Sequence, residues 1–260
     1  MKLLVIAGGG ELPAEVVKGA KSLGYAVEVI SFSDLDFDAE LVHHLKIEEI
    51  PEAFRLIEKS DAEEAVMVGK VEHKIAFSSL MKHPSLLKFV SRFRGKNPMG
   101  ILKAIGEMIE ERGVKLESPL KFLPHLRFKK GVLTGKLSKE EEGEIARAFD
   151  IAKKIASMDI GLSIAWKEGA VIAVEAVEGT DEMIRRAGQL VSDFYLIKVA
   201  RPGQDLRLDL PVIGLETLKN LRENGGSGLV FEAETTIFLQ PERSLEFARK
   251  NGIKVISWKN

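Results

Sequence analysis

MKLLVIAGGGELPAEVVKGAKSLGYAVEVI, residues 1–30, holds one complete strand–turn–helix–strand unit. Leu3–Ala7 is a short, continuous apolar run, the pattern of a strand buried on both faces of a parallel sheet. Gly8-Gly9-Gly10 turns the chain. From about Pro13, Val16, Val17, Ala20 and Leu23 recur at helical spacing. Proline suits a first helical position, where a missing N–H leaves nothing unsatisfied. Gly24 ends the helix and Val27–Ile30 reads as the second strand, so the stretch has the size of a βαβ module.

The alternation continues outward. Glu52–Lys59 reads as a helix, Ala65–Val68 as a strand, Gly100–Arg112 as a helix and Val114–Leu116 as a short strand. Strands alternating with helices imply a parallel sheet covered on both faces. Glu117–Lys130 contains Pro119 and Pro124 and has no clear period, which places a domain boundary near residue 130. Beyond it, Ser138 is positioned to cap a long helix, Lys139–Met158. Gly161–Trp166 and Ala170–Glu175 read as two strands around a Lys-Glu-Gly turn. Further helices are expected at Thr180–Gly188, Leu215–Glu223 and Glu242–Lys250. Strands are expected at Phe194–Ala200, Leu229–Phe231, Thr235–Leu239 and Lys254–Ser257. The expected fold is α/β in two domains: a Rossmann-like parallel sheet over residues 1–129 and a mixed α/β domain over 130–260.

The 260 residues carry 38 Lys and Arg against 39 Asp and Glu. That balance excludes a globally basic nucleic-acid binder. With 45% hydrophobic residues the chain can bury a core. It has no cysteine, which excludes disulfides, thiolate metal sites and cysteine nucleophiles. No apolar run approaches the roughly 18 residues of a membrane helix. The short apolar start reads as a strand, not a secretory signal, so the expected compartment is the cytoplasm.

Three segments have the residue types for chemistry. Gly8, Gly9 and Gly10, between a strand and a helix, let backbone N–H groups approach a phosphate, helped by the helix dipole. Asp34 and Asp36 lie about where a ribose-binding acid would stand, but Pro13 occupies the place of the third glycine of G-x-G-x-x-G. A tight turn without ligand fits equally. Glu175-Ala-Val-Glu178-Gly179-Thr180-Asp181-Glu182 joins a strand to a helix. Its acids either complement the helix dipole or receive a phosphate accompanied by Mg²⁺. Thr180 reads as the cap, and Arg185 can pair with Asp181 four residues before it. Pro202-Gly203-Gln204-Asp205-Leu206-Arg207-Leu208-Asp209-Leu210-Pro211, if extended, sets Asp205, Arg207 and Asp209 on one face and three leucines on the other. That is either a salt-bridge ladder or a metal-and-phosphate clamp. Neighbours on that face stand roughly 7 Å apart, so one of the two aspartates plus an acid from residues 175–182 suits one ion better than both together. Lys198 and Arg201 precede the clamp and either touch an anion or edge a strand.

Other segments carry less. Gly161-Leu162-Ser163-Ile164-Ala165 lacks the last glycine of a nucleophile elbow, so Ser163 reads as a strand residue. His43, His44, His73, His83 and His125 show no metal-ligand spacing. Asn224–Gly228 reads as a helix stop. Phe89–Arg94 mixes aromatic residues with arginine, most simply as an amphipathic packing face.

Taken together, these segments resemble the LpxI-type UDP-2,3-diacylglucosamine pyrophosphatases. The resemblance rests on GGGELP at Gly8–Pro13, Gly69-Lys70-Val71, Asp159-Ile160-Gly161, Val174–Arg186 and KVARPGQDLRLDLPVIG at Lys198–Gly214, and it spans essentially the whole chain. It implies an Mg²⁺-dependent hydrolase of lipid A biosynthesis that splits the pyrophosphate of UDP-2,3-diacylglucosamine into UMP and 2,3-diacylglucosamine 1-phosphate. It also implies a homodimer, an acylated UDP-sugar as substrate and transient contact with the inner membrane, while the charge pattern, with no basic stripe, argues against nucleic acid. The family's essential aspartate falls within Gln204–Asp209, with Asp205 favoured and Asp209 in reserve. The expected ion ligands are Asp205 with Glu178 or Asp181. Lys198 and Arg207 neutralise developing charge, and Gly8, Gly9, Gly10, Leu12, Thr180 and Gln204 contact substrate. Leu162 stands where the family usually has Gln, and Asn97-Pro98 where many members carry acids. Both bear on the substrate pocket and leave the aspartate untouched. The alternative is a nucleotide-sugar or dinucleotide-binding protein without pyrophosphatase activity.

Overall fold

The computed structural model describes residues 1–70 and 98–260. Val71, His73, His83, Phe89–Arg94 and Asn97 lie outside the described residues. The chain divides into two compact units: Met1–Pro124 with Asp205–Asp209, and His125–Gln204 with Leu210–Asn260.

The first unit is built on five parallel strands: β1 (Lys2–Ala7), β2 (Ala26–Ser31), β3 (Leu41–His44), β4 (Glu64–Val68) and β5 (Lys115–Leu116). Their spatial order is β3-β2-β1-β4-β5. Chain order therefore reverses between β1 and β4, the switch point at which open α/β sheets bind ligands beyond the carboxyl ends of their strands. Leu3, Leu4 and Val5 are fully buried, as the unbroken apolar run requires. Helix α1 (Leu12–Ser22) packs on β1 and β2 through a face that buries Val16, Val17 and Ala20. Helices α2 (Ile50–Lys59) and α3 (Pro98–Glu110) enclose a second cluster in which Leu4, Ile30 and Ala65 meet Phe54, Ile57, Ile101 and Met108. Strand β3 was not expected. It is a short, half-exposed edge (LVHH), too polar to show as an apolar run.

The second unit has a six-stranded mixed sheet. Its strands are β6 (Gly131–Thr134), β7 (Ser163–Lys167), β8 (Ala170–Val174), β9 (Tyr195–Lys198), β11 (Gly228–Glu232) and β13 (Lys254–Trp258). The order is β6-β13-β11-β9-β7-β8, with β9, β11 and β13 parallel and both ends antiparallel. A parallel pair, β10 (Val212–Ile213) and β12 (Ile237–Phe238), stands apart. Alternation along the strands sorts the residues to two faces. Ile164, Trp166, Ile197, Val230 and Ile256 pack against α4 (Lys139–Ser157). Ala165, Leu196, Leu229, Phe231 and Val255 pack against α5 (Thr180–Leu190), α6 (Leu215–Glu223) and α7 (Pro241–Lys250). Phe231 and Phe238 meet edge to face, with ring centroids 5.5 Å apart. Ser138 caps α4 as expected: its hydroxyl accepts from Glu141 N, and Glu141 Oε2 accepts from Ser138 N at 2.9 Å.

Candidate functional site

The glycine turn after β1 makes its close approach to the chain's own backbone. Gly8 N donates to Val68 O, and Gly9 N and Lys70 N each donate to the other residue's carbonyl, all at 2.8 Å. A methyl group at position 8 would stand 2.6 Å from Lys70 O, and one at Gly69 would stand 2.8 Å from Gly8 C and 2.9 Å from Pro13 Cγ. Glycine at 8 and 69, with proline at 13, is thus what lets the turns after β1 and β4 touch. The phosphate cradle expected of Gly8 and Gly9 is corrected on this ground, because their amides are already bonded. Gly10 (φ +93°) turns the chain into α1. Leu12, expected to contact substrate, is buried at the start of α1. Asp34 and Asp36 lie in the exposed loop after β2.

Asp205–Asp209 is a turn, not the extended strand that its alternating charges suggested. Asp205 Oδ1 accepts from Arg207 N at 3.1 Å, and Asp205 O accepts from Leu208 N at 3.0 Å and Asp209 N at 3.3 Å. A side-chain bond to the amide two residues on is an Asx turn, and it breaks the period-two pattern. The turn docks on the first unit. Leu208 packs against the cluster under α2 and α3, and Ser118 Oγ donates to Leu206 O at 2.8 Å. Ser118 lies just after β5, so the Asp205–Asp209 turn sits beside the short edge strand of the parallel sheet. Arg207 clamps the aspartate with Nε on Oδ1 at 2.9 Å and Nη2 on Oδ2 at 2.7 Å, while Nη1 donates to Glu110 Oε1 at 3.0 Å. The Arg207 guanidinium holds the Asp205 carboxyl below the usual aspartate range, against partial burial and with help from Arg207 N and Lys103. Arg207 itself is pushed up, chiefly by Asp205.

In the second unit Lys198 ends β9 directly opposite Ser163 of β7. Its ammonium donates to Thr180 Oγ1 at 2.8 Å and Ser163 Oγ at 3.4 Å, and Thr180 Oγ1 donates to Glu175 Oε1 at 2.9 Å. Thr180 is therefore not the cap of α5, a position that Gly179 holds. Strand β8 stops at Val174, so Glu175, expected as its last residue, lies with Glu178 in the connection to α5. Glu178 accepts from Arg186 at 2.6 Å, and Asp181 accepts from Asn220 at 3.2 Å. Arg185 pairs with Glu182, three residues before it, in place of the Asp181 pair that the sequence suggested. Gln204 Oε1 accepts from Arg201 N at 2.7 Å, closing the turn ahead of Asp205.

Sequence reasoning missed Lys153 and Glu232. Lys153 Nζ donates to Ala200 O at 2.7 Å and to both Glu232 oxygens at 3.0 Å, and Glu232 Oε2 accepts from Ala200 N at 2.7 Å. They fix the backbone where β9 leaves the sheet. The two positions are 79 residues apart, and no local spacing flags them.

Residues 2–126 match the LpxI N-terminal domain model and residues 129–256 the LpxI C-terminal domain model. The chain belongs to the LpxI family. It is 30% identical over 272 residues to the UDP-2,3-diacylglucosamine pyrophosphatase LpxI of Caulobacter vibrioides, covering 98% of this chain and 96% of that relative. Among solved structures, it aligns with a glycinamide-RNase-transformylase T from Mycobacterium tuberculosis (12% identity, TM-score 0.26, 68% of this chain, 44% of that one). It also aligns with an N5-carboxyaminoimidazole ribonucleotide synthetase from Thermotoga maritima (17%, TM-score 0.25, 68% and 41%). Likenesses that slight carry no argument.

In this LpxI-family chain, no group of three His, Asp or Glu side chains is placed to hold a metal among the described residues. A full protein cage is not what Mg²⁺ requires, since it is held by one or two carboxylates together with substrate phosphates. Asp205 fits that use. It is an ionised hard-oxygen donor, and its bonds to Arg207 take three of the four lone-pair positions that a carboxylate offers.

Proposed function

We propose that the chain hydrolyses the pyrophosphate bond of UDP-2,3-diacylglucosamine, taking up water and yielding UMP and 2,3-diacylglucosamine 1-phosphate with Mg²⁺. The observation that carries the reading is the ionised Asp205 carboxylate, clamped by Arg207 beside the edge strand β5. Membership of the LpxI family and the name of the Caulobacter relative support the substrate.

Asp205 is the ligand that this chain offers the ion. Bound there, Mg²⁺ would neutralise pyrophosphate oxygens and acidify a water. Arg207 keeps the carboxylate charged and oriented, and its remaining N–H groups add positive charge beside the leaving phosphate. Asp209 stands in reserve as the acid. In the second unit, Lys198 is the cation that this chain offers an anionic phosphate group. The acylated product and substrate imply transient contact with the inner-membrane surface, and the reading includes a cytoplasmic homodimer. No helix among the described residues is long and apolar enough to cross a membrane.

The test is UMP release from UDP-2,3-diacylglucosamine with and without Mg²⁺, beside UDP-N-acetylglucosamine. Metal-dependent release from the acylated substrate alone is the expected result. Release from neither compound overturns the reading.

A further inference from the structure

Lys198 is a buried cation without a direct counter-ion. Only 7% of the residue is exposed, and no carboxylate lies within ion-pair distance of it among the described residues. Its direct partners there are two hydroxyls. A buried ammonium in such surroundings is costly unless charge of the opposite sign is supplied. The nearest supply is one hydroxyl away, at Glu175.

The direction of the chain of bonds is forced. An ammonium can only donate, so Thr180 Oγ1 accepts from Lys198. The single hydroxyl proton of Thr180 must then go to Glu175 Oε1, 2.9 Å away. The second carboxylate oxygen, Glu175 Oε2, is buried and has no hydrogen-bond partner among the described residues. Among the described residues no other donor reaches that carboxylate, and its charge acts on Lys198 through Thr180.

The backbone sets these groups in a row. Ser163 of β7 opposes Lys198 of β9, and on the other side Glu175 N donates to Ser163 O at 2.9 Å. Gly161 lies so close that a methyl group there would stand 2.0 Å from Glu175 O. By alternation Ser163, Glu175 and Lys198 share the sheet face that packs against α5, where Thr180 is the first helical residue. The row is a product of strand register and is not a chance meeting of flexible side chains.

We infer that Glu175 and Thr180 are positioning residues, which hold the Lys198 ammonium at the end of β9 ready for an anionic phosphate group of the ligand. Thr180 spends its proton on Glu175 and one of its two lone pairs on Lys198. The inference rests on the pyrophosphatase reading for its activity readout, and a binding readout keeps the two separable.

Steady-state UMP release is compared for wild type, Lys198→Ala, Thr180→Val, Thr180→Ser and Glu175→Gln, with the melting temperature of each. Thr180→Val and Glu175→Gln should lower kcat about tenfold to a hundredfold, the usual loss when a reactive group loses its support. Thr180→Ser, which keeps the hydroxyl, should restore most of the rate. A folded Thr180→Val with wild-type kcat overturns the inference, and so does a Thr180→Ser as slow as Thr180→Val. Glu175→Gln keeps the shape of the side chain and gives the reading should Thr180→Val fail to fold; wild-type kcat in it also overturns the inference. In parallel, the rise in melting temperature on adding inorganic pyrophosphate is measured. It should be present in wild type and lost in Lys198→Ala and Glu175→Gln. Wild type that releases no UMP overturns the pyrophosphatase reading, and the pyrophosphate shift then decides the inference alone. An equal shift in all variants rejects it.

Discussion

Asp205 grips Arg207 two residues ahead of it across both carboxylate oxygens, at 2.9 and 2.7 Å, while the arginine's third arm holds Glu110. The pair is partly exposed, so it contributes at most about 1 kcal/mol to stability. Its effect is to orient and charge the carboxylate. Asp205→Asn should remove UMP release with a nearly unchanged melting temperature. Arg207→Lys cannot make the two-pronged bond and should lower kcat by roughly tenfold or more. Near-normal turnover in Asp205→Asn would transfer the role to Asp209.

Gly8 and Gly9 should respond differently to a methyl group. At Gly8 it would stand 2.6 Å from Lys70 O, whereas at Gly9 the nearest atom is 3.6 Å away. Gly8→Ala should cost about 1–3 kcal/mol, or several degrees of melting temperature. Gly9→Ala should be close to neutral. Denaturant titration of both variants checks this, and equal losses would mean that the turn is tight for some reason other than Lys70.

Glu141 gives the stability of the second unit a defined acid limit. Its bond to Lys254, with those to Ser138 N and Tyr195, pulls its carboxyl from 4.5 down to about 2. Because the folded value is the lower one, the contribution is complete above the unfolded value of 4.5. It is lost as pH falls toward about 2. Glu141→Gln should therefore melt below wild type at pH 7, and the gap should narrow as pH drops through that window. A gap that stays constant with pH would place the effect in packing alone.

Lys153 and Glu232 should matter far more than their partial exposure suggests. Lys153→Met leaves Glu232 and Ala200 O without their shared donor. It should cost about 1–3 kcal/mol. Lys154→Met, one residue on and exposed, is the control and should change little. Thermal unfolding of the two variants decides.

The first thirty residues could be read because their elements are local: an apolar run, a turn and a helical stripe. What the glycine turn packs against could not be read, because Gly69 and Lys70 lie about sixty residues away in sequence. Strands β3 and β6 escaped notice as short, half-exposed edges with little apolar content. Asp205–Asp209 was misread as extended because Asp-Leu-Arg-Leu-Asp alternates like a strand. One side-chain bond from Asp205 to Arg207 N was enough to close it into a turn. The Glu175–Thr180–Lys198 row needed three strand ends in register, which a single sequence does not reveal.

Leu208 enters the hydrophobic cluster of the first unit from the other half of the chain. On a ribosome, that unit stays short of one of its own packing residues after Pro124 has emerged. At ordinary synthesis rates the wait for Asp205–Asp209 is on the order of ten seconds. Until then the sheet edge that will carry Asp205 has no carboxylate clamp, so the nascent first unit acquires its shape before it acquires its chemistry.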